Sequence, residues 1–261
     1  MDISLELIPR SVSSLKEDFL LCRSWGAINY INIPDLTRFP IRSWEACASF
    51  PPDADTPALM PHLRARDFSP EEPFPLVEHF RAGRIRQVLV IAGDPPKERE
   101  KNPAEDFFPS ALSRGSKKES ATTGFIKKLK TEMPELEIYA AFDPYRTNIR
   151  YELDYLEAKK EAGAAGFFSQ PFFDLRLLEI YAEYLEGRRV FWGVAPVLTT
   201  GSRLYWESRN RAVFPRSFRA DLSWNVEFAA QVIDFCGRSN FNLYLMPIKL
   251  DLKTYLQEIF K

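Results

Sequence analysis

The chain has 261 residues, 45% hydrophobic and 27% charged, and its 35 basic against 36 acidic residues give a formal net charge of −1. That balance excludes a uniformly basic surface for nucleic acid, and the apolar content excludes disorder as the main state. The longest apolar run, 190–198, is far too short to span a bilayer.

The three cysteines, Cys22, Cys47 and Cys236, have no CxxC spacing, and His62 and His79 are the only histidines. No disulfide framework, cysteine zinc site or histidine-rich metal site is predicted. The opening Met1-Asp2-Ile3-Ser4 has no basic n-region and no signal-type apolar stretch. The expectation is a soluble, cytoplasmic, single-domain chain without a membrane or nucleic-acid partner.

Short apolar runs alternate with amphipathic stretches along the chain. Strands are predicted at 3–8, 27–33, 58–63, 87–92, 137–142, 165–170, 190–197 and 241–248. Helices are predicted at 13–23, 73–82, 123–132, 149–162 and 174–186, within 202–239, and at 252–260. Eight alternating strands in a chain of this length predict an α/β protein, a (β/α)8 barrel rather than an open sheet. The proline-rich connection 34–57 is the weakest repeat. The polar, lysine-rich stretch 95–121 reads as a solvated excursion or as a lid over the barrel mouth. Trp206 and Trp224, in the region 202–239, either cover the barrel or form an interface with a second copy or a partner subunit.

Catalytic side chains of such a barrel sit at the C-terminal strand ends, so polar residues there are the candidates. In the first strand Ile3, Leu5 and Leu7 share one face, which turns Ser4 and Glu6 into the barrel. Desolvation raises the pKa of a lone glutamate in an apolar cavity, making it a proton donor near neutral pH. The competing reading is an ion pair with Arg64 or Arg66. His62, near the end of the third run, is either a ligand contact or a satisfied structural histidine. In Gly93-Asp94-Pro95-Pro96, the glycine allows close backbone approach and the prolines stiffen the exit, holding Asp94 at the rim; the same residues also suit an ordinary turn. Gln170 brings an amide, both donor and acceptor, among the aromatics Phe167, Phe168, Phe172 and Phe173.

These segments resemble the methylenetetrahydrofolate reductase family over roughly residues 3–200. Glu6-Leu7-Ile8-Pro9-Arg10 is similar to that family's opening strand, and Met60-Pro61-His62-Leu63 to its P-H-L segment. Gly93-Asp94-Pro95-Pro96 resembles its G-D-P-P motif. Ser169-Gln170-Pro171-Phe172-Phe173-Asp174 resembles its Q-x-F-F-D segment, and Gly193-Val194-Ala195-Pro196-Val197 its seventh strand. No G-x-G-x-x-G occurs, which agrees with a family that holds its flavin in the barrel mouth.

The resemblance implies that NAD(P)H reduces bound FAD, and that the reduced flavin passes hydride to 5,10-methylenetetrahydrofolate, giving 5-methyltetrahydrofolate. Glu6 matches the family's acid and Asp94 the aspartate beside the flavin. Gln170 matches a folate contact, and Thr200 falls near the folate-stacking phenylalanine. His62, Gly93, Asp94 and Lys159 fall on flavin-binding positions. Other flavin positions differ: the arginine before Gly-Asp is Ala92, and Tyr155 and Ala158 stand where the family has asparagine and arginine. The alternatives are direct hydride transfer from NAD(P)H without flavin, and a catalytically altered folate-binding subunit.

Overall fold

A computed structural model describes residues 1–50, 57–93, 120–248 and 250–261. Eight strands form a closed, all-parallel barrel in sequence order: β1 (Ile3–Glu6), β2 (Tyr30–Ile33), β3 (Ala58–Arg64), β4 (Gln87–Ile91), β5 (Glu137–Phe142), β6 (Gly166–Pro171), β7 (Val190–Val194) and β8 (Asn242–Leu245). Closure comes from β8 pairing with β1, Ser4 opposite Tyr244 and Leu5 opposite Leu245. The predicted (β/α)8 barrel is the observed fold.

The helices are α1 (Val12–Trp25), α2 (Ser43–Ala48), α3 (Val77–Ala82), α4 (Ala121–Glu132), α5 (Ile149–Glu161), α6 (Leu175–Tyr184), α7 (Thr200–Arg209), α8 (Leu222–Ser239) and α9 (Leu252–Ile259). The longer ones start where a side chain can accept from the orphan amides of a first turn. Ser11, Ser120, Asn148, Asp174, Thr199, Asp221 and Asp251 all cap in this way. No described helix is long and apolar enough to cross a membrane.

Period-two alternation divides the apolar residues into two cores. Leu5, Ile31, Leu63, Val88, Val90, Trp192 and Leu243 face outward and pack under the helices. Met60, Leu89, Tyr139, Phe168, Phe191 and Tyr244 fill the barrel interior. Phe168 and Phe191 stack at 4.2 Å, and Tyr139 and Tyr244 meet Phe168 edge-on at 5.3 and 5.1 Å. At the N-terminal end Arg189 bonds Glu137, Asp2 and the Tyr30 hydroxyl, plugging the floor. The interior is therefore packed at its waist, and the strand ends at the mouth are where a barrel of this kind carries its chemistry.

Candidate active site at the barrel mouth

Glu6 ends β1 on the inner face, because Leu5 and Leu7 are committed to the outer core. Its Oε2 accepts a hydrogen bond from the Tyr244 hydroxyl. Burial pushes the carboxyl from its ordinary 4.5 up to about 7, with the Tyr244 hydrogen bond acting the other way. The ion pair weighed above is absent among the described residues. Arg64 instead lies 3.6 Å from Asp67, and Arg66 donates to the Gly93 carbonyl at 2.9 Å. Glu6 is thus an acid whose pKa is raised towards neutrality, able to hold a proton well above the usual carboxylate range.

A buried polar chain runs beside it. Asn32, the register partner of Glu6 on β2, donates from Nδ2 to Ser4 Oγ. His62 Nε2 donates to Asn32 Oδ1 at 3.2 Å, which fixes the histidine tautomer. Burial drives the His62 pKa down to about 3, so the ring is neutral across the physiological range. His62 is buried inside the barrel with a partner of its own. One flank, from β8 through β3, is thereby polar: Tyr244, Glu6, Ser4, Asn32 and His62. The opposite flank carries Leu89, Ile91, Ala141 and Ala195. Such a mouth suits a ligand with a polar edge and an apolar face.

Gln170 interrupts the apolar flank. The pairing of β6 with β7 shifts between Phe168 and Pro171, a β-bulge. Ser169 Oγ accepts the Gly193 amide at 2.7 Å in place of a ladder bond. A Cβ on Gly193 would lie 2.6 Å from the Ser169 carbonyl oxygen, so only glycine allows this approach. Gln170 is half-buried, and its amide has no hydrogen bond to a described residue.

Gly93, just past β4, has φ +78°, and a Cβ there would lie 3.1 Å from Arg64 Cβ. Asp94 and residues 95–119 of the candidate lid lie outside the described residues. Thr200 opens α7 on the surface and is exposed. Lys159 is buried on α5. Its ammonium donates to the Ala141 carbonyl at 2.7 Å, lies 3.9 Å from Glu152 Oε1, and sits 3.9 Å above the Tyr155 ring. Phe172 and Phe173 are fully buried, Phe173 against Trp206 and Phe214. They belong to the core rather than the mouth.

Asp35, two residues past β2, is buried and takes a two-pronged bond from Arg42 at 2.9 and 2.5 Å. Arg42 also reaches Asp67 at 3.0 Å and lies over the Trp44 ring. This clamp ties the exits of β2 and β3 together and stiffens the polar side of the mouth. Sequence reasoning singled out neither the clamp nor Asn32, Ser169 and Tyr244. The available signal was a polar residue between two outward apolar ones, as in Ile31-Asn32-Ile33 and Leu243-Tyr244-Leu245.

No family model matches the chain, and no curated protein does. Solved structures do. An uncharacterized protein from Clostridium thermocellum, which binds two copies of 5-methyl-5,6,7,8-tetrahydrofolic acid, is 12% identical at a TM-score of 0.61, over 99% of this chain and 92% of that one. Oxaloacetate acetylhydrolase, in complex with 3,3-difluorooxalacetate, is 9% identical at a TM-score of 0.58, over 94% of this chain and 74% of its own. A 2,3-dimethylmalate lyase of the PEP mutase/isocitrate lyase superfamily is 11% identical at 0.51, over 100% and 87%. At such identities the likeness is one of fold, the (β/α)8 barrel.

Proposed function

We propose that the barrel mouth binds a reduced folate and that the protein reduces 5,10-methylenetetrahydrofolate to 5-methyltetrahydrofolate, with Glu6 as the proton donor and NAD(P)H as the hydride source. The observation that carries this reading is a carboxyl group on the inner face at the end of β1, hydrogen-bonded to the Tyr244 hydroxyl and with no ion pair among the described residues; burial raises its pKa towards neutrality. The family resemblance and the folate-binding Clostridium thermocellum barrel support it.

The resemblance implies a flavin. A flavin pyrophosphate needs charge-assisted donors. At the corresponding positions Ala92 and Ala158 offer no side-chain donor, and the Tyr155 hydroxyl is bonded to Ser120 Oγ at 3.0 Å. The Lys159 ammonium is committed to Ala141, Glu152 and the Tyr155 ring. Those positions do not fit the group, and no step is drawn through it.

The chemistry then has two parts. Protonated Glu6 gives its proton to the anilinic nitrogen of the five-membered ring, whose bond to the methylene carbon breaks and leaves an iminium. Hydride from NAD(P)H forms the new C–H bond at that carbon, giving the methyl group and NAD(P)+. Because the acid form is the active one, the rate falls as pH rises through about 7. The Gln170 amide faces the pterin edge with a donor and an acceptor.

The test is a nicotinamide oxidation assay with methylenetetrahydrofolate, together with calorimetric folate binding. Turnover by colourless protein is the expected result. Binding without turnover would leave a folate-binding subunit, and absence of binding would sink the folate reading altogether.

Gln170→Glu swaps a donor for an acceptor. An unpaired buried polar group costs about 1–3 kcal/mol, so folate affinity is expected to fall roughly ten- to a hundredfold. The melting temperature should hardly change, since the amide bonds no described residue. A lowered melting temperature with unchanged folate affinity would make Gln170 scaffold.

A further inference from the structure

We infer that Tyr244 is a positioning residue for Glu6: it occupies Oε2, so that the transferable proton resides on Oε1. The inference deepens the proposed folate reduction and, as a statement about a catalytic proton, rests on it. The geometry itself does not.

Tyr244 lies within β8 on the inner face, with Leu243 and Leu245 in the outer core. It is 3% exposed and packs edge-on against Phe168, which is itself stacked on Phe191. The ring is therefore fixed by a packed aromatic cluster rather than by its hydroxyl. The register pairs Tyr244 with Ser4, so the hydroxyl reaches up the neighbouring strand by one inner-face position to Glu6. Burial and the nearby carboxylate raise the phenol pKa well above its ordinary value, so it remains a donor.

A carboxyl oxygen that accepts the phenol proton is a poor place for a second proton, which goes to the other oxygen. Among the described residues Oε1 has no hydrogen-bond partner. Among the described residues, the groups around Glu6 are neutral or paired. From β2 Asn32 is neutral and bonded to Ser4 and His62; from β3 His62 is neutral and Arg64 is paired with Asp67; from β8 come Tyr244 and Met246. Donation to the charged form favours that form, so Tyr244 opposes the effect of burial and keeps the acid near neutrality instead of higher.

The experiment is an infrared titration of the protein without folate, which separates this inference from the folate reading. A protonated-carboxyl band should titrate near pH 7 and vanish in Glu6→Gln. In Tyr244→Phe its midpoint should move upward by roughly one pH unit, the range of a single lost hydrogen bond to a carboxylate. The alkaline limb of the reductase pH profile should move with it. The melting temperature should stay close to that of the parent, because the ring packing is kept. Placing 3-fluorotyrosine at position 244 gives a second reading that leaves the fold untouched: a stronger donor should lower the midpoint. A midpoint unmoved by either change, or moved in the opposite sense, overturns the assignment.

Discussion

Glu6→Gln is expected to lower folate reduction by 10²-fold or more, the usual scale for loss of a positioned proton donor. Folate binding should survive, since the amide keeps the shape of the carboxyl and still accepts from Tyr244. The same variant should be more stable than the parent above neutral pH. Between its ordinary 4.5 and about 7 the folded Glu6 holds a proton that the unfolded chain has lost. Stability therefore falls as pH rises through that window, and the cost of a buried carboxylate is fully present above 7. At about 1.4 kcal/mol per pH unit, over a window of about 2.5 units, this amounts to roughly 3–4 kcal/mol, which Gln does not incur. The check is a pair of melting curves at pH 5 and pH 8 alongside the assay. Normal turnover by Glu6→Gln would remove the acid from the mechanism; equal stability of the two proteins at pH 8 would mean that Glu6 is solvated.

The barrel was legible because its signal is local. Each strand is a short apolar run, and each longer helix opens on a capping residue, so alternation alone fixed the class. What escaped was short or composite. Helix α2 spans six residues inside the proline-rich connection 34–57, and is set by the Glu45 side chain accepting the Arg42 amide at 3.0 Å. The stretch 202–239 hides two helices, α7 and α8. The break between them shows only in Pro215 and in the Asp221 cap, whose carboxylate accepts the Trp224 amide at 2.8 Å.

The site was legible where chemistry and position coincide in one residue. Glu6 is such a case: the two-residue period turned it inward, and burial gives it the raised pKa that was expected. Its partner was not legible. Tyr244 and Glu6 are 238 residues apart and meet only because β8 closes onto β1. Asn32 and His62 are likewise 30 residues apart, on neighbouring strands, and a polar residue in the middle of a strand attracts less notice than one at its end. The bulge that aims Gln170 depends on a hydroxyl in one strand and a glycine in the next, a pairing that no single segment displays.

Lys159→Ala separates a scaffold lysine from a cofactor-binding one, and its expected effect falls on stability. Lys159 and Glu152 are 2% and 3% exposed, with Nζ 3.9 Å from Oε1. Burial pushes the ammonium down from 10.5 to about 8, with Glu152 opposing the shift. Removing the cation leaves a buried carboxylate supported, among the described residues, by the Asp143 amide at 3.3 Å and the Thr147 hydroxyl at 3.4 Å. Breaking such a pair costs about 3–5 kcal/mol, because the remaining charge is uncompensated. Replacing both partners, as Lys159→Met with Glu152→Gln, should recover much of that loss, since neither charge then remains buried. The pH dependence has a defined sign as well. Below about pH 8 both the folded and unfolded chains carry the charge, and the folded one bears its desolvation. As pH climbs from 8 to 10.5 the folded lysine is already neutral, so this group's contribution to stability rises. Lys159→Ala lacks that rise. Urea unfolding of the three proteins at pH 7 and pH 9.5 measures all of this. An unchanged midpoint in Lys159→Ala, with weakened flavin binding as the only defect, would return Lys159 to a cofactor site and reopen the flavin route.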